Sequence, residues 1–271
     1  MTITPMATSN ATAVRRLAPG VLATLLESDH AFPRHSHDAY GIGLIRRGGQ
    51  RSWSAAGEVQ AIAGDLIMVN PGEVHDGTPL GGQSRSWHML YLAPGLVDAI
   101  AGEVLPAGAA APLWRPVTRD ARLAAHFERL RRRLEAAAGS LACDEAQVAL
   151  LGNLLCTQAS RPLPRLASPT IARARQRLDD DPARDPGLAA LATEAGLSRF
   201  QLLRGFAREL GLTPHAYLMQ RRLALAQSLI DRGVPIAQAA AEAGFADQSH
   251  LTRLFTRILG FTPAAYARAR A

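Results

Sequence analysis

The sequence predicts an α+β chain of separate domains, with an all-β front, a helical middle and an all-α back, and three observations support it. Residues 20–92 hold short apolar runs, "VLATLL", "YGIGLI", "DLIMV" and "WHMLYL", divided by Gly, Pro and Asp clusters. That is the pattern of a small β-sandwich or barrel. Residues 118–159 carry apolar residues at helical spacing. The last hundred residues spell one phrase twice, "GLTPHAYLMQR" from Gly211 and "GFTPAAYARAR" from Gly260. With 271 residues, 48% of them hydrophobic, the chain is long enough for two packed cores.

From the start, residues 1–15 lack the apolar stretch of a secretory signal and are expected to form a flexible N-terminus. No run approaches the roughly eighteen apolar residues of a membrane span, so a cytoplasmic protein without a membrane partner is expected. The all-β part is placed at 16–115 and a helical dimerisation segment at 116–160. Within that segment Thr118–Ala138 and Leu141–Ala159 read as a helix pair, with Leu123, Phe127, Leu130 and Leu134 at heptad spacing. This stripe suits packing onto the β part as well as a homodimer seam. Arg131, Arg132 and Arg133 read as a solvated face. Cys143 and Cys156 are too few for a disulfide framework and read as small core residues. Residues 161–169, "RPLPRLASP", form the linker.

Residues 170–271 are the basic part, where fourteen Arg against nine Asp and Glu supply +5 of the net +7. Such a segment points to nucleic acid, although a chain with no Lys and thirty Arg makes charge a weak argument by itself. The repeat is stronger. Leu188, Glu194 and Gly196 match Ile236, Glu242 and Gly244, and Phe206, Gly211, Pro214 and Tyr217 match Phe255, Gly260, Pro263 and Tyr266. In each copy a glycine stops a short helix and a capping residue, Ser198 or Asp247, starts a second one. The first copy begins at Asp185 and Pro186, the second at Pro235. Leu202, Phe206 and Leu210, like Leu251, Phe255 and Leu259, recur every fourth residue and pack inward. Short helix, tight turn and capped second helix make a helix-turn-helix, whose second helix enters the major groove. The connector, 215–231, has no Gly or Pro and reads as one helix of about 25 Å, so the chain is expected to meet two adjacent major-groove segments of double-stranded DNA.

These residues, and above all "GFADQSHLTRLFTRILGFTPAAY" (Gly244–Tyr266), resemble the double helix-turn-helix of the AraC/XylS transcription regulators. One departure is Ala267, where that family usually has Arg. On the first recognition helix the outward face carries Arg199, Gln201, Arg204 and Arg208, with Phe200 near its start. The resemblance implies Phe200, Gln201, Leu203 and Arg204 as the base-facing set. The corresponding positions of the second helix are Gln248, Ser249, His250, Thr252 and Arg253, with Arg257 better placed for phosphate. Arg suits guanine and Gln suits adenine, while about half of such contacts go to the backbone.

In the front part, "HSHDAYGIGLIRRGGQ" (35–50) and "GDLIMVNPGEVHDG" (64–77) resemble the two motifs of the cupin barrel, the sensory domain of many AraC-type regulators. His35, His37 and His75 fill three of the four positions that hold a metal in cupin enzymes, but Gly41 and Ile42 stand where the acidic ligand belongs. No metal or other cofactor is therefore expected. Instead His35, His37, Tyr40, Trp53, His75, His88 and Tyr91 are expected to line a pocket for a small-molecule effector. The glycines of "GIGLIRRG" have the wrong spacing for a dinucleotide fingerprint and lie in a strand pattern. The resemblance implies an effector-responsive regulator and no enzyme, acting as a homodimer, with RNA polymerase as a further possible partner. The competing reading is a metal-dependent cupin enzyme fused to a DNA-targeting tail.

Overall fold

The structure is a computed structural model and describes residues 10–54, 56–105, 113, 115–136, 140–158 and 168–269. The chain divides into two compact units, one of residues up to 163 without 34–36 and one of residues from 164 on together with 34–36, and each has its own core. No described helix is long and apolar enough to cross a membrane.

The first unit carries ten strands: β1 (Asn10–Ala18), β2 (Val21–Ser28), β3 (Phe32–His35), β4 (Tyr40–Arg47), β5 (Gly49–Ser54), β6 (Gly57–Ile62), β7 (Leu66–Val69), β8 (His75–Pro79), β9 (Arg85–Leu92) and β10 (Val117–Thr118). They form a six-stranded sheet, in the order β1-β2-β9-β4-β7-β10, and a four-stranded sheet, β3-β8-β5-β6. One core of Leu26, Phe32, Ile45, Ala61, Ile67, Trp87 and Met89 joins both sheets face to face. The described strands thus make a two-sheet version of the expected barrel. Residues 10–15, expected to be flexible, are strand instead: Asn10 to Ala18 pairs antiparallel with Val21 to Glu27 along the edge of β2.

Helices α1 (Pro94–Val104), α2 (Ala121–Glu135) and α3 (Ser140–Gln158) cover the outer face of the larger sheet. The first of these is absent from the sequence reading, although Pro94 at its first turn is a start signal. Leu123, Phe127, Leu130 and Leu134 are at most 6% exposed and lie in one core with Ile42, Leu90, Leu92 and α3. The heptad stripe is therefore used inside the unit and offers no free seam for a dimer. Asp120 caps α2 by accepting from the Arg122 and Leu123 amides. Cys143 packs against this core, whereas Cys156 is exposed rather than a core residue. Ala138, Ala159 and linker residues 161–167 lie outside the described residues; Ser168 and Pro169, assigned to the linker, start a helix.

The second unit is all helix: α4 (Pro169–Asp180), α5 (Leu188–Glu194), α6 (Arg199–Leu210), α7 (Pro214–Asp231), α8 (Ile236–Glu242), α9 (Gln248–Leu259) and α10 (Pro263–Arg268). The expected start at Asp185 moves to Leu188, because Gly187 turns at φ +74° and Asp185 accepts its amide. The caps read at Ser198 and Asp247 are in place, and Thr213 and Thr262 cap α7 and α10 as well. Ile171, Ala174 and Leu178 of α4 close the first core with α5, α6 and Leu218.

Candidate nucleic-acid interface and effector site

The repeated phrase has a mechanical meaning in the second unit. Gly211 (φ +72°) and Gly260 (φ +81°) end the two recognition helices, α6 and α9, in the left-handed conformation that glycine adopts without strain. Thr213 and Thr262 then accept the amides of Ala216 and Ala265, and Pro214 and Pro263 occupy first-turn positions. Tyr217 donates to Asp179 at 2.7 Å, and Tyr266 donates to Asp231 at 2.9 Å. Each acceptor lies at the end of the helix preceding a helix-turn-helix, so the phrase ties the exit of each recognition helix to its entry.

With Leu202 and Phe206 fully buried, the opposite face of α6 presents Arg199, Phe200, Leu203, Arg204 and Arg208 to solvent. Phe200 is 66% exposed and Leu203 37%, an unusual cost for large apolar side chains unless a partner covers them. The Arg204 guanidinium lies 5.5 Å over the Phe200 ring, which holds it beside that apolar tip. Gln201 behaves differently from expectation. Its carbonyl accepts the Ser198 amide while Ser198 accepts the Gln201 amide, so the side chain serves a capping box. Arg208 pairs with Glu209, which also holds Ser168 at the start of α4.

On α9 the exposed set is Gln248, Ser249, Arg253 and Arg257, with Thr252 half-buried. His250 turns inward, its ring edge-on to Phe245 at 5.2 Å. Asp247 caps the helix by accepting the His250 amide at 2.6 Å. The two recognition faces thus differ in character: one exposes Phe200, Leu203 and Arg204, and the other exposes Gln248, Ser249 and Arg253.

In the first unit the expected effector residues separate. Facing the space between the sheets, the His37 ring meets His75 at 4.9 Å and Tyr91 at 5.1 Å, both edge-on. His37 Nδ1 donates to the Ala39 carbonyl at 3.3 Å and His75 Nδ1 to the Glu73 carbonyl at 3.0 Å. Because a carbonyl can only accept, each of these bonds places a proton on Nδ1. Burial, reinforced by His37, holds the His75 pKa down to about 3, so this ring is neutral. Burial pushes the Tyr91 phenol up to about 12, with the nearby Thr24 hydroxyl acting the other way. One ring nitrogen from each of His35, His37 and His75 lies within 4.8 Å of the others.

Tyr40 and His88 belong elsewhere. Tyr40 alternates with Gly41 and lies on the helix-facing side of β4, in one core with Ile42 and Leu44; burial, then Asp98, raises its pKa. His88 likewise faces α2, 3.6 Å from Glu128. Trp53 pairs opposite Glu58, on the face of β5 away from Gln50 and Ser52, and its amide donates to Asp76. Sequence reasoning missed Thr24 and Met89. A Cβ on Gly43 would lie 2.0 Å from the Met89 sulfur and one on Gly41 3.0 Å from its methyl, so the glycines of "GIGL" open the shelf that Met89 fills.

Comparison with known proteins decides the family. Residues 21–155 match the AraC-like ligand binding domain and residues 191–269 match a helix-turn-helix domain. The chain belongs to the AraC-type transcription regulators. The HTH-type transcriptional regulator YbfI of Bacillus subtilis is 29% identical over 227 residues, 81% of either chain. The probable transcriptional regulator LumQ of Photobacterium leiognathi is 38% identical over 80 residues, 29% of this chain and 32% of its own length. The fold is that of ToxT from Vibrio cholerae, solved with an unsaturated fatty acid bound: TM-score 0.59 and 14% identity, covering 93% of this chain and 96% of that one. This AraC-type chain thus joins a ligand-binding domain to a DNA-binding one.

Proposed function

We propose that this regulator senses a polar small molecule between its two sheets, at His37, His75, Tyr91 and Thr24, and reads two neighbouring DNA segments with α6 and α9. The observation carrying the reading is the cluster itself: the His37 ring meets His75 and Tyr91 edge-on, and both imidazoles are oriented by Nδ1–H bonds to backbone carbonyls. Such a cluster of imidazoles and a phenol favours a ligand with polar groups, with Met89 and Ile67 as apolar floor. The fatty acid bound to ToxT supports a small-molecule role for this kind of domain; the polar lining here suits a more hydrophilic molecule. Binding shifts the population of DNA-competent arrangements. No catalytic step is assigned.

The test is a reporter behind a promoter that the full chain binds, read in cells grown on a panel of carbon compounds. His37→Ala and Tyr91→Phe should leave DNA affinity intact and abolish the response; an unchanged response moves the pocket elsewhere.

The second reading rests on the three nitrogens within 4.8 Å. Imidazoles whose far nitrogens donate to carbonyls suit a transition metal, and His35, His37 and His75 would hold it, as an electrophile orienting the effector. Metal analysis of untagged protein separates the two: stoichiometric zinc or iron lost in His75→Ala favours this one.

A homodimer also fits the family. With the α2 stripe covered, it would use another surface, and sedimentation equilibrium reads its stoichiometry. RNA polymerase contact belongs with activation and is tested by transcription in a purified system.

A further inference from the structure

Between β4 and α2 of the first unit runs an open groove of about 900 Å³. It lies on the helix-covered side of the six-stranded sheet, away from the rings of His37 and His75. The strand at Leu44 and Ile45 and the small side chains of Ala124 and Ala125 line it, and its walls carry Arg46, Arg129, Arg132 and Arg133 against a single carboxylate, Glu128.

That carboxylate is already engaged. Glu128 accepts from Arg131 at 2.9 Å and from Arg46 at 3.3 Å, with His88 at 3.6 Å. Arg131, read from sequence as part of a solvated face, is instead largely covered and bridges Glu128 to Glu135 at 2.6 Å. The guanidinium groups of Arg129, Arg132 and Arg133 therefore outnumber the acids that could neutralise them. Arg132 comes no nearer than 3.9 Å to Glu128 and is 73% exposed. At i, i+3 and i+4 on one helix these three repel one another. The helix dipole favours Arg132 and Arg133 in the last turn, but it accounts neither for Arg129, a turn earlier, nor for Arg46 on a strand.

We propose that this groove binds a small organic phosphate. Guanidinium forks match phosphate oxygens in pairs, and a concave wall focuses the field of its charges. Occupancy cancels the repulsion along α2 and links α2 to β4 through the ligand. The site therefore offers the sensor a second input beside the effector.

The experiment is titration calorimetry on the full chain with ADP and with citrate, at low and at physiological salt. Wild type should bind ADP, and Arg129→Glu/Arg133→Glu should weaken it at least tenfold while keeping duplex DNA affinity. Arg204→Glu/Arg253→Glu should bind ADP as wild type does. The proposal is overturned if ADP does not bind, if its binding follows the recognition helices instead, or if citrate binds as tightly through the same arginines. Loss of DNA affinity in Arg129→Glu/Arg133→Glu without ADP binding in wild type would make the groove a DNA surface instead. Both arginines are exposed, so a cooperative melt is expected; Arg129→Gln/Arg133→Gln repeats the test should the charge reversal unfold the sensor.

Discussion

Arg85 is fully buried, and its hydrogen bonds go to neutral oxygens: Gln50 Oε1, the His30 carbonyl and the Gly77 carbonyl, each at 3.1 Å. Its guanidinium lies 4.8 Å over Trp87 and 5.7 Å over Phe32. Burial lowers its pKa to about 10, with Asp29 pulling the other way. Replacing it by Met leaves three acceptors dry, so Arg85→Met should cost about 3 kcal/mol or more, read in a urea melt of the sensor, and Arg85→Lys should not rescue it, since an ammonium cannot span the three oxygens. The sequence holds no sign of this role: Arg85 becomes a core residue only when β9 and the four-stranded sheet come together. Arg204 and Arg253 were legible, because a cap and an apolar stripe fix which way a helical side chain points. Arg204→Ala and Arg253→Ala should each cost about 1–3 kcal/mol of binding to the selected duplex and relax preference in different half-sites; loss at the same bases would refute two separate readers. The capping role of Gln201 went unread, because the same Ser198 signal that starts α6 also recruits the residue three positions on.

Among the elements, caps were legible and coverage was not. The Ser198, Asp247, Gly211 and Gly260 signals are local, so α6 and α9 follow from sequence, whereas α1 and α4 depend on what lies beneath them. The α2 stripe was visible, but its partner, the six-stranded sheet, is set by strand order that no spacing encodes. The join between α2 and the sheets rests on Asp65, buried at the β6–β7 turn, which accepts two hydrogen bonds from Arg119 at 2.8 and 3.1 Å and one from the Ile62 amide. The Arg119 bond lowers the Asp65 pKa below its ordinary 3.8 despite burial. A depressed carboxylate pKa means the unfolded chain binds the proton first, so this stabilisation is present above about pH 4 and is lost as pH falls through the folded value. The melting temperature of the sensor should therefore fall on acidification below pH 4, less steeply in Arg119→Ala. In the second unit Tyr217→Phe removes the tie from α7 to α4. It should cost about 1.5 kcal/mol, the low end for a charged acceptor, because Asp179 keeps Arg221 at 3.0 Å and Arg175 at 3.7 Å. A melt unchanged within error would make the repeated tyrosine a packing residue.

For the molecule as a whole, the separate core of the second unit means that residues 168–271 should fold and bind DNA by themselves. Their arginines displace counterions from phosphate, so affinity should fall about 10³-fold between 50 and 200 mM salt for some six contacts, and binding flat in salt would remove the phosphate-contact account. Spacing gives the sharper test. The two helix-turn-helix units share α7, a single helix of eighteen residues, about 27 Å long, with no glycine or proline after its first position. Its central residues Leu218, Leu223, Ala226 and Leu229 are buried, so it is braced along its length rather than left to bend. A braced connector fixes the separation and rotation of α6 and α9, and DNA of one helical repeat must match both. Inserting about five base pairs, half a turn, between the half-sites turns the second away from its reader. Affinity for that duplex should drop to the level of a single half-site, and inserting a full turn should not restore it, since the helix cannot lengthen. Recovery at a full turn would mean that the half-sites are read by two different copies of the chain.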